Sequence, residues 1–228
     1  MFLSASTFFD TVADDERVYL LVRHGERGHI TPNDPDYGAH VGLTERGREQ
    51  AFSLGSAMSV AGETSTDVCF FSSPVGRCVE TAECIGKGCG IAHPEVEKLE
   101  SLAEFYVQNY DSYTKVLKAG FYEGICQWLA ANSRDADGGV VQDADAPFYP
   151  LADRSEEMLS MMFEMGRARF NVFVSHDAWV VPCLVHFCGL NFTPKRWMNF
   201  LTGMAVAVSP RKRRIVPVTA LETGWLDF

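Results

Sequence analysis

Several features that would place this chain in a large class are scarce or missing. No apolar run approaches the roughly 20 residues that cross a bilayer. None of the seven cysteines forms a Cys-x-x-Cys pair, so neither a redox dithiol nor a paired-cysteine zinc site is spelled out. Positive charge is the minority sign: 20 Lys and Arg stand against 30 Asp and Glu, a net −10, which argues against non-specific binding of nucleic acid. The opening MFLSASTFFDTVADDE lacks the basic n-region and long apolar core of a signal peptide. GKGCG, Gly86 to Gly90, lacks the GxxxxGK[ST] spacing of a phosphate loop and reads as a helix stop. Apart from the adjacent His176 and Asp177, no spacing of His, Asp, Glu or Cys suggests a metal site. The expectation is a cytoplasmic protein with reduced, mostly core cysteines, no metal and no cofactor, that binds neither nucleic acid nor membrane.

What is present starts with VYLLVRHGER, Val18 to Arg27. Five apolar residues without polar alternation read as a buried strand. The run then stops in two arginines, a histidine and a glutamate around one glycine. Burying those charges without partners is very costly, so they pair, meet solvent in a cleft, or meet a charged ligand. With acidic residues in excess, arginines gathered in one place are not a by-product of composition.

The rest of the chain alternates strands and helices. LTERGREQAFSLGSAM reads as a helix capped by Thr44, with Ala51, Leu54 and Met58 on one face. DVCFF is a second strand, leading into SSPVGRCVETAECIG, a helix with Ser73 as N-cap and Pro74 at its first position. DSYTKVLKAGFYEGICQWLAAN is a third helix, and DRSEEMLSMMFEMGRAR a fourth, with Asp153 and Glu156 spaced as a capping box. FNVFVS is a third strong strand, and VPCLVHFCGL an apolar helix holding His186. MAVAVSP and RIVPVTAL flank a basic turn, Arg211 to Arg214, as a terminal strand pair. Two polar segments, 28–42 and 133–150, read as loops. This pattern predicts an α/β, three-layer αβα sandwich around a mostly parallel central sheet. Residues 1–228 are expected to form a single domain with a small cap drawn from 104–150.

Each strong strand ends in reactive residues. The first delivers Arg23 and His24. The second delivers Ser72 and Ser73, with Arg77 a turn further on. The third delivers His176 and Asp177. Parallel strands share one carboxyl edge, where α/β sheets bind ligands, so residues about 50 and about 150 positions apart meet in one crevice. A crevice of Arg23, Arg27, Arg77, His24 and His176 suits an anion with several oxygens, and phosphate matches arginine forks best.

These residues resemble the histidine phosphatase superfamily, which contains phosphoglycerate mutases and histidine acid phosphatases. LVRHGE is similar to its signature strand end, LTERGREQA to the LTxxGxxQA segment of the mutase-like branch, SSPVGRCVETA to SSPxxRxxxTA, and VSHD to the second-histidine segment. The resemblance runs from about Val18 to Trp179. It implies that His24 is the nucleophile, forming a phosphohistidine, and that Arg23, Arg27, Arg77 and His176 bind the phosphoryl oxygens. Two branch patterns mix here. Arg27 and the His176–Asp177 pair resemble the acid phosphatase pattern RHGxRxP plus HD, with His29 standing where that pattern has proline. The resemblance therefore leaves two general acids: Asp177, as in the acid phosphatases, and Glu104 of SLAEF, as in the mutase-like branch, with Glu100 and Glu26 weaker. Asp177 is preferred. Trp179 and Tyr37 are pocket candidates, with core packing equally in keeping with their residue types.

The expected activity is metal-independent hydrolysis of a small phosphomonoester. The alternatives are a phosphoglycerate mutase-type phosphotransferase and a catalytically silent phosphate- or phosphopeptide-binding module. A mutase needs extra cations for its substrate's carboxylate, and between Arg77 and Arg134 the chain has only Lys87, Lys98, Lys115 and Lys118.

Overall fold

The computed structural model describes residues 1–30, 34, 36, 38–59, 67–132 and 143–228. In chain order the elements are β1 (Leu3–Ser4), α1 (Ala5–Phe9), β2 (Arg17–Arg23), α2 (Glu45–Ser59), β3 (Val68–Ser72), α3 (Gly76–Gly88), β4 (Val96–Lys98) and α4 (Ser101–Glu104). They continue as α5 (Tyr110–Asn132), α6 (Leu151–Met165), β5 (Phe170–Ser175), α7 (Asp177–Cys188), β6 (Arg196–Met198), β7 (Thr202–Val208), β8 (Arg213–Thr219) and β9 (Trp225–Asp227).

Seven strands form one sheet in the order β1-β8-β7-β2-β5-β3-β4, and β6 and β9 pair apart from it. The pairs β1–β8, β2–β5, β3–β5 and β3–β4 are parallel, while β7 pairs antiparallel with both β2 and β8. The sheet is thus mostly parallel, as expected. Strand alternation splits the core into two layers. Val18, Leu20 and Val22 of β2 pack with α1, α2 and α3, beside Phe8, Leu54 and Ile85. Tyr19 and Leu21 face the opposite way, among residues of α4 to α7 such as Leu102, Ile125, Met158 and Val181. That is the three-layer sandwich.

Several local expectations change in the folded chain. α3 begins at Gly76 with Val75 as its N-cap, not at Ser73, whose hydroxyl meets both His176 Nε2 at 3.0 Å and the Val75 N–H at 3.4 Å. The capping box expected at Asp153 is absent: α6 starts earlier, with Pro150 before Leu151, so Asp153 already lies inside the first turn. α5 is broken at Gly120, where φ of 143° and ψ of 104° lie outside helical values in a region favouring glycine. The basic turn is a hairpin between β7 and β8, with Arg211 and Arg213 exposed and Arg214 paired to the buried Glu16 at 3.0 Å. All seven cysteines are free. The proposed cap stretch holds the end of α4 and all of α5. Residues 133–142 of its loop, and Tyr37 of the earlier one, lie outside the described residues.

Candidate active site

Register brings the reactive strand ends together. Arg23 pairs with Ser175, and Ser72 with Val174, so β2, β5 and β3 end level at one edge. The next residues continue the ladder: His24 N donates to Ser175 O at 2.9 Å and Ser73 N to Val174 O at 2.9 Å. Two glycines let the surrounding chain close on this edge. A Cβ on Gly47 would stand 2.1 Å from Glu26 O, and one on Gly25 would stand 2.9 Å from Gly47 O, so the first turn of α2 lies directly on the His24–Glu26 backbone. Thr44 completes that joint, donating its backbone N–H to Glu26 O and its hydroxyl to Glu26 Oε1, both at 2.9 Å. Gly25 N in turn donates to the buried Thr81 hydroxyl at 3.0 Å. Glu26 is therefore part of the scaffold.

His24 is 2 % exposed. Its Nδ1 lies 2.8 Å from Gly25 O, which requires a proton on Nδ1 and leaves Nε2 as the lone-pair nitrogen. Arg77 Nε donates to that Nε2 at 3.2 Å, consistent with the same tautomer. Burial, together with the neighbouring Arg23, His176 and Arg77, holds the His24 pKa well below its ordinary value, so the ring stays neutral. Arg77 spreads its remaining donors to Gly38 O at 2.8 Å and towards His176 Nδ1 at 3.4 Å. An acceptor Nδ1 places the His176 proton on Nε2, which faces the Ser73 hydroxyl at 3.0 Å. Burial first, then Arg77, brings the His176 pKa down to about 3. The two imidazoles lie edge to face, with centroids 5.6 Å apart.

Arg23 is 3 % exposed. Nη1 donates to Met198 O at 2.6 Å, Nη2 meets Asp177 Oδ2 at 3.1 Å, and the guanidinium lies 4.2 Å above the Phe200 ring. Its Nε is buried without a partner among the described residues. Arg27 is half-buried. Its Nη1 donates to Gly28 O at 2.8 Å, and its pKa is lowered by burial and by Arg23 and Arg77, which marks it as a neighbour of the crevice. His29 and His40 are exposed, and His40 pairs with Asp36. His186 pairs with Glu156 at 3.2 Å, and Trp179 is core.

The two general-acid candidates have opposite surroundings. Asp177 stands inside the site. Burial pushes its pKa up, but Arg23, the Trp197 indole N–H at 3.0 Å and the Ala178 N–H at 2.9 Å outweigh burial and hold it below the usual carboxylate value. An ionised, ion-paired carboxylate opposes the proton-donor role expected of it. Glu104 is exposed at the end of α4, and its carboxylate accepts from the Tyr110 hydroxyl. Among the described residues it shares no hydrogen bond or ion pair with the histidines and arginines of the site. Glu100 is exposed. No group of three or more His, Cys, Asp or Glu is placed to hold a metal among the described residues.

Sequence reasoning missed Trp197, Met198 and Phe200, which lie in a segment without a motif. It read Ser73 as a helix cap, although the residue stands in the motif that brings Arg77.

The fold and the crevice define a class first: an α/β protein whose sheet edge gathers two histidines and three arginines. The model of the histidine phosphatase superfamily (branch 1) matches residues 19–218, and the chain belongs to that superfamily, whose members are phosphatases or mutases. Among solved structures it is similar to a phosphoglycerate mutase from Bacillus anthracis (15% identity, TM-score 0.52, covering 90% of this chain and 93% of that one). It is also similar to a mycobacterial glucosyl-3-phosphoglycerate phosphatase (16%, TM-score 0.51, 90% and 100%). A third likeness is to a phosphoserine phosphatase mutant from Entamoeba histolytica in complex with phosphoserine (17%, TM-score 0.50, 89% and 97%). At these identities the likeness is one of fold. Comparison with curated proteins gave no match.

Proposed function

We propose that the chain is a metal-independent phosphomonoester hydrolase that acts on a small phosphorylated metabolite through a phosphohistidine at His24. The observation that carries this reading is the state of His24: Nδ1–H is tied to Gly25 O, Nε2 keeps its lone pair, and Arg77 Nε stands 3.2 Å from it. The Nε2 lone pair attacks phosphorus, the bond from phosphorus to the ester oxygen breaks, and that oxygen leaves with a proton. Water then cleaves the P–N bond and releases phosphate. Arg23, Arg27, Arg77 and His176 bind the phosphoryl oxygens as charge spreads over them, which is most of what phosphoryl transfer asks of a protein. Three arginines supply the positive charge that elsewhere comes from magnesium.

With Asp177 committed to Arg23, the leaving-group proton is assigned to Glu104, on α4 at the same sheet edge. Hydrolysis is favoured over a mutase role because few cations stand between Arg77 and Arg134 to hold a substrate carboxylate. It is favoured over silent binding because the nucleophile is in its reactive tautomer. Seven free cysteines support a reducing, cytoplasmic setting.

The test is a screen of phosphomonoesters with the wild type and His24→Ala, with detection of acid-labile phosphate on His24. Turnover should fall on the order of 10⁴-fold or more in the variant and should survive chelation. Near-normal hydrolysis by folded His24→Ala removes the mechanism.

A further inference from the structure

The small β6–β9 ribbon takes no part in the chemistry above, yet two adjacent residues of β6 reach into it. Met198, paired with Trp225, gives its carbonyl to Arg23 Nη1 at 2.6 Å. Trp197, paired with Leu226 and fully buried, gives its indole N–H to Asp177 Oδ2 at 3.0 Å. Asp177 Oδ2 is the same oxygen that meets Arg23 Nη2 at 3.1 Å, and Oδ1 is held by the Ala178 N–H at 2.9 Å. After β6 the chain turns through Leu201, which takes a left-handed conformation at φ of 48°, and Phe200 there lies beneath the Arg23 guanidinium at 4.2 Å.

We propose that Trp197 is a positioning residue: by holding the Asp177 carboxylate it sets the orientation of the Arg23 guanidinium, and the β6–β9 ribbon is the platform on which this phosphate-binding arginine is built. The proposal rests on the reading of Arg23 as a phosphoryl ligand. A guanidinium presents its donors in one rigid plane, so fixing two nitrogens and one face fixes the direction of the others. Nη1 is fixed by Met198 O, Nη2 by Asp177 and the face by Phe200. These contacts take one hydrogen on each Nη, so the second hydrogen on each Nη and the Nε–H, which is buried and unpartnered among the described residues, remain as donors whose direction is set. An arginine held in this way has lost its rotamer freedom before the substrate arrives, which strengthens binding without a new contact to the ligand. Asp177 is held in turn on both oxygens, one by Trp197 and one by the start of α7. Its carboxylate acts as an orienting group for Arg23, not as the source of the leaving-group proton.

The experiment is a double-mutant cycle on Trp197→Phe and Asp177→Asn. Phe keeps an aromatic ring and removes the N–H. Asn keeps the shape and removes the charge. Orthovanadate binding, followed by titration calorimetry, reports the oxyanion site independently of turnover. Values of kcat/KM on 4-nitrophenyl phosphate and on glycerol phosphate report leaving-group dependence. Trp197→Phe should weaken orthovanadate roughly ten- to hundredfold, the usual cost of losing an outer partner that orients a ligand-binding group. It should also lower kcat/KM by a similar factor on both esters. In the Asp177→Asn background the same change should add less than about threefold, because both act through one carboxylate. Full additivity, an unchanged orthovanadate constant, or a loss in Asp177→Asn confined to glycerol phosphate would each overturn the proposal. If Trp197→Phe does not fold, the nearly isosteric Asp177→Asn decides alone: weaker orthovanadate with equal loss on both esters supports the relay, and unchanged orthovanadate refutes it. Wild-type protein that forms no phosphohistidine, while both variants still weaken orthovanadate, would end the hydrolase reading and leave the relay standing.

Discussion

Arg77 offers the sharpest quantitative test of the site. It touches both histidines and the Gly38 carbonyl, at 3.2 Å to His24 Nε2, 3.4 Å to His176 Nδ1 and 2.8 Å to Gly38 O. In the proposed mechanism, as phosphorus approaches Nε2, the donors now facing the two imidazoles turn to phosphoryl oxygens instead. Two charge-assisted hydrogen bonds, at about 1.5–3 kcal/mol each, amount to about 3–6 kcal/mol of transition-state stabilisation. Arg77→Gln should therefore lose on the order of 10²–10⁴ in kcat/KM. Arg77→Lys keeps the charge but not the fork, and should fall between wild type and Arg77→Gln. A second signature follows from electrostatics. Burial is the first cause of the low His24 pKa, and Arg77 adds to it. Removing that cation lets the His24 pKa rise part of the way towards 6.5, so Arg77→Gln should lose activity on acidification at a pH where the wild type is still level. The assay is single-turnover phosphorylation of His24 between pH 4 and pH 8 in all three proteins. Arg77→Gln within threefold of wild type, with an unchanged acid limb, would refute the assignment of Arg77 to the phosphoryl group.

Other outcomes follow from the same structure. Both histidines are held neutral below their unfolded pKa near 6.5, so the unfolded chain binds more protons in acid; the stability they contribute is present above pH 6.5 and drains as pH falls towards about 3 for His176. His176 costs about 1.4 kcal/mol per pH unit in that window, so urea denaturation should show the protein weaker by roughly 2 kcal/mol at pH 5 than at pH 7, with His24 adding in the same direction; Asp177, lowered from an ordinary value of 3.8, adds nothing until lower pH, and equal midpoints would contradict the neutral pair. Glu104→Gln should slow alkyl phosphates by about 10²–10⁴-fold while sparing 4-nitrophenyl phosphate in the first step, and a uniform effect would remove Glu104 as the acid. Gly55 on α2 is pressed against α3, where an added Cβ would stand 1.9 Å from Ile85 O, so Gly55→Ala should cost about 3 kcal/mol or more in urea denaturation, and a neutral result would mean that the helices separate freely.

Much of this protein was legible in one dimension. The apolar runs ending at Arg23, Ser72 and Ser175 announced β2, β3 and β5, because a strand buried on both faces needs no polar alternation. Their shared edge followed from the strand–helix alternation, and with it the meeting of His24, Arg77 and His176. The helix starts were less legible. Ser73 has the residue type of an N-cap, but its hydroxyl goes to His176, over a hundred positions away in the chain. β6 and β9 carried no signal, being three residues each and paired only with one another.

By itself, then, the sequence determined the alternation of elements, the strand ends and the residue types at the crevice, since burial period and turn chemistry are local properties of a chain. Only the tertiary structure decided the surroundings of each group. It made His24 neutral by burying it among cations. It placed Asp177 against Arg23 and Trp197, and Glu104 out beside Tyr110. Desolvation and ion pairing depend on neighbours brought from distant parts of the chain, and no local pattern records which those neighbours will be.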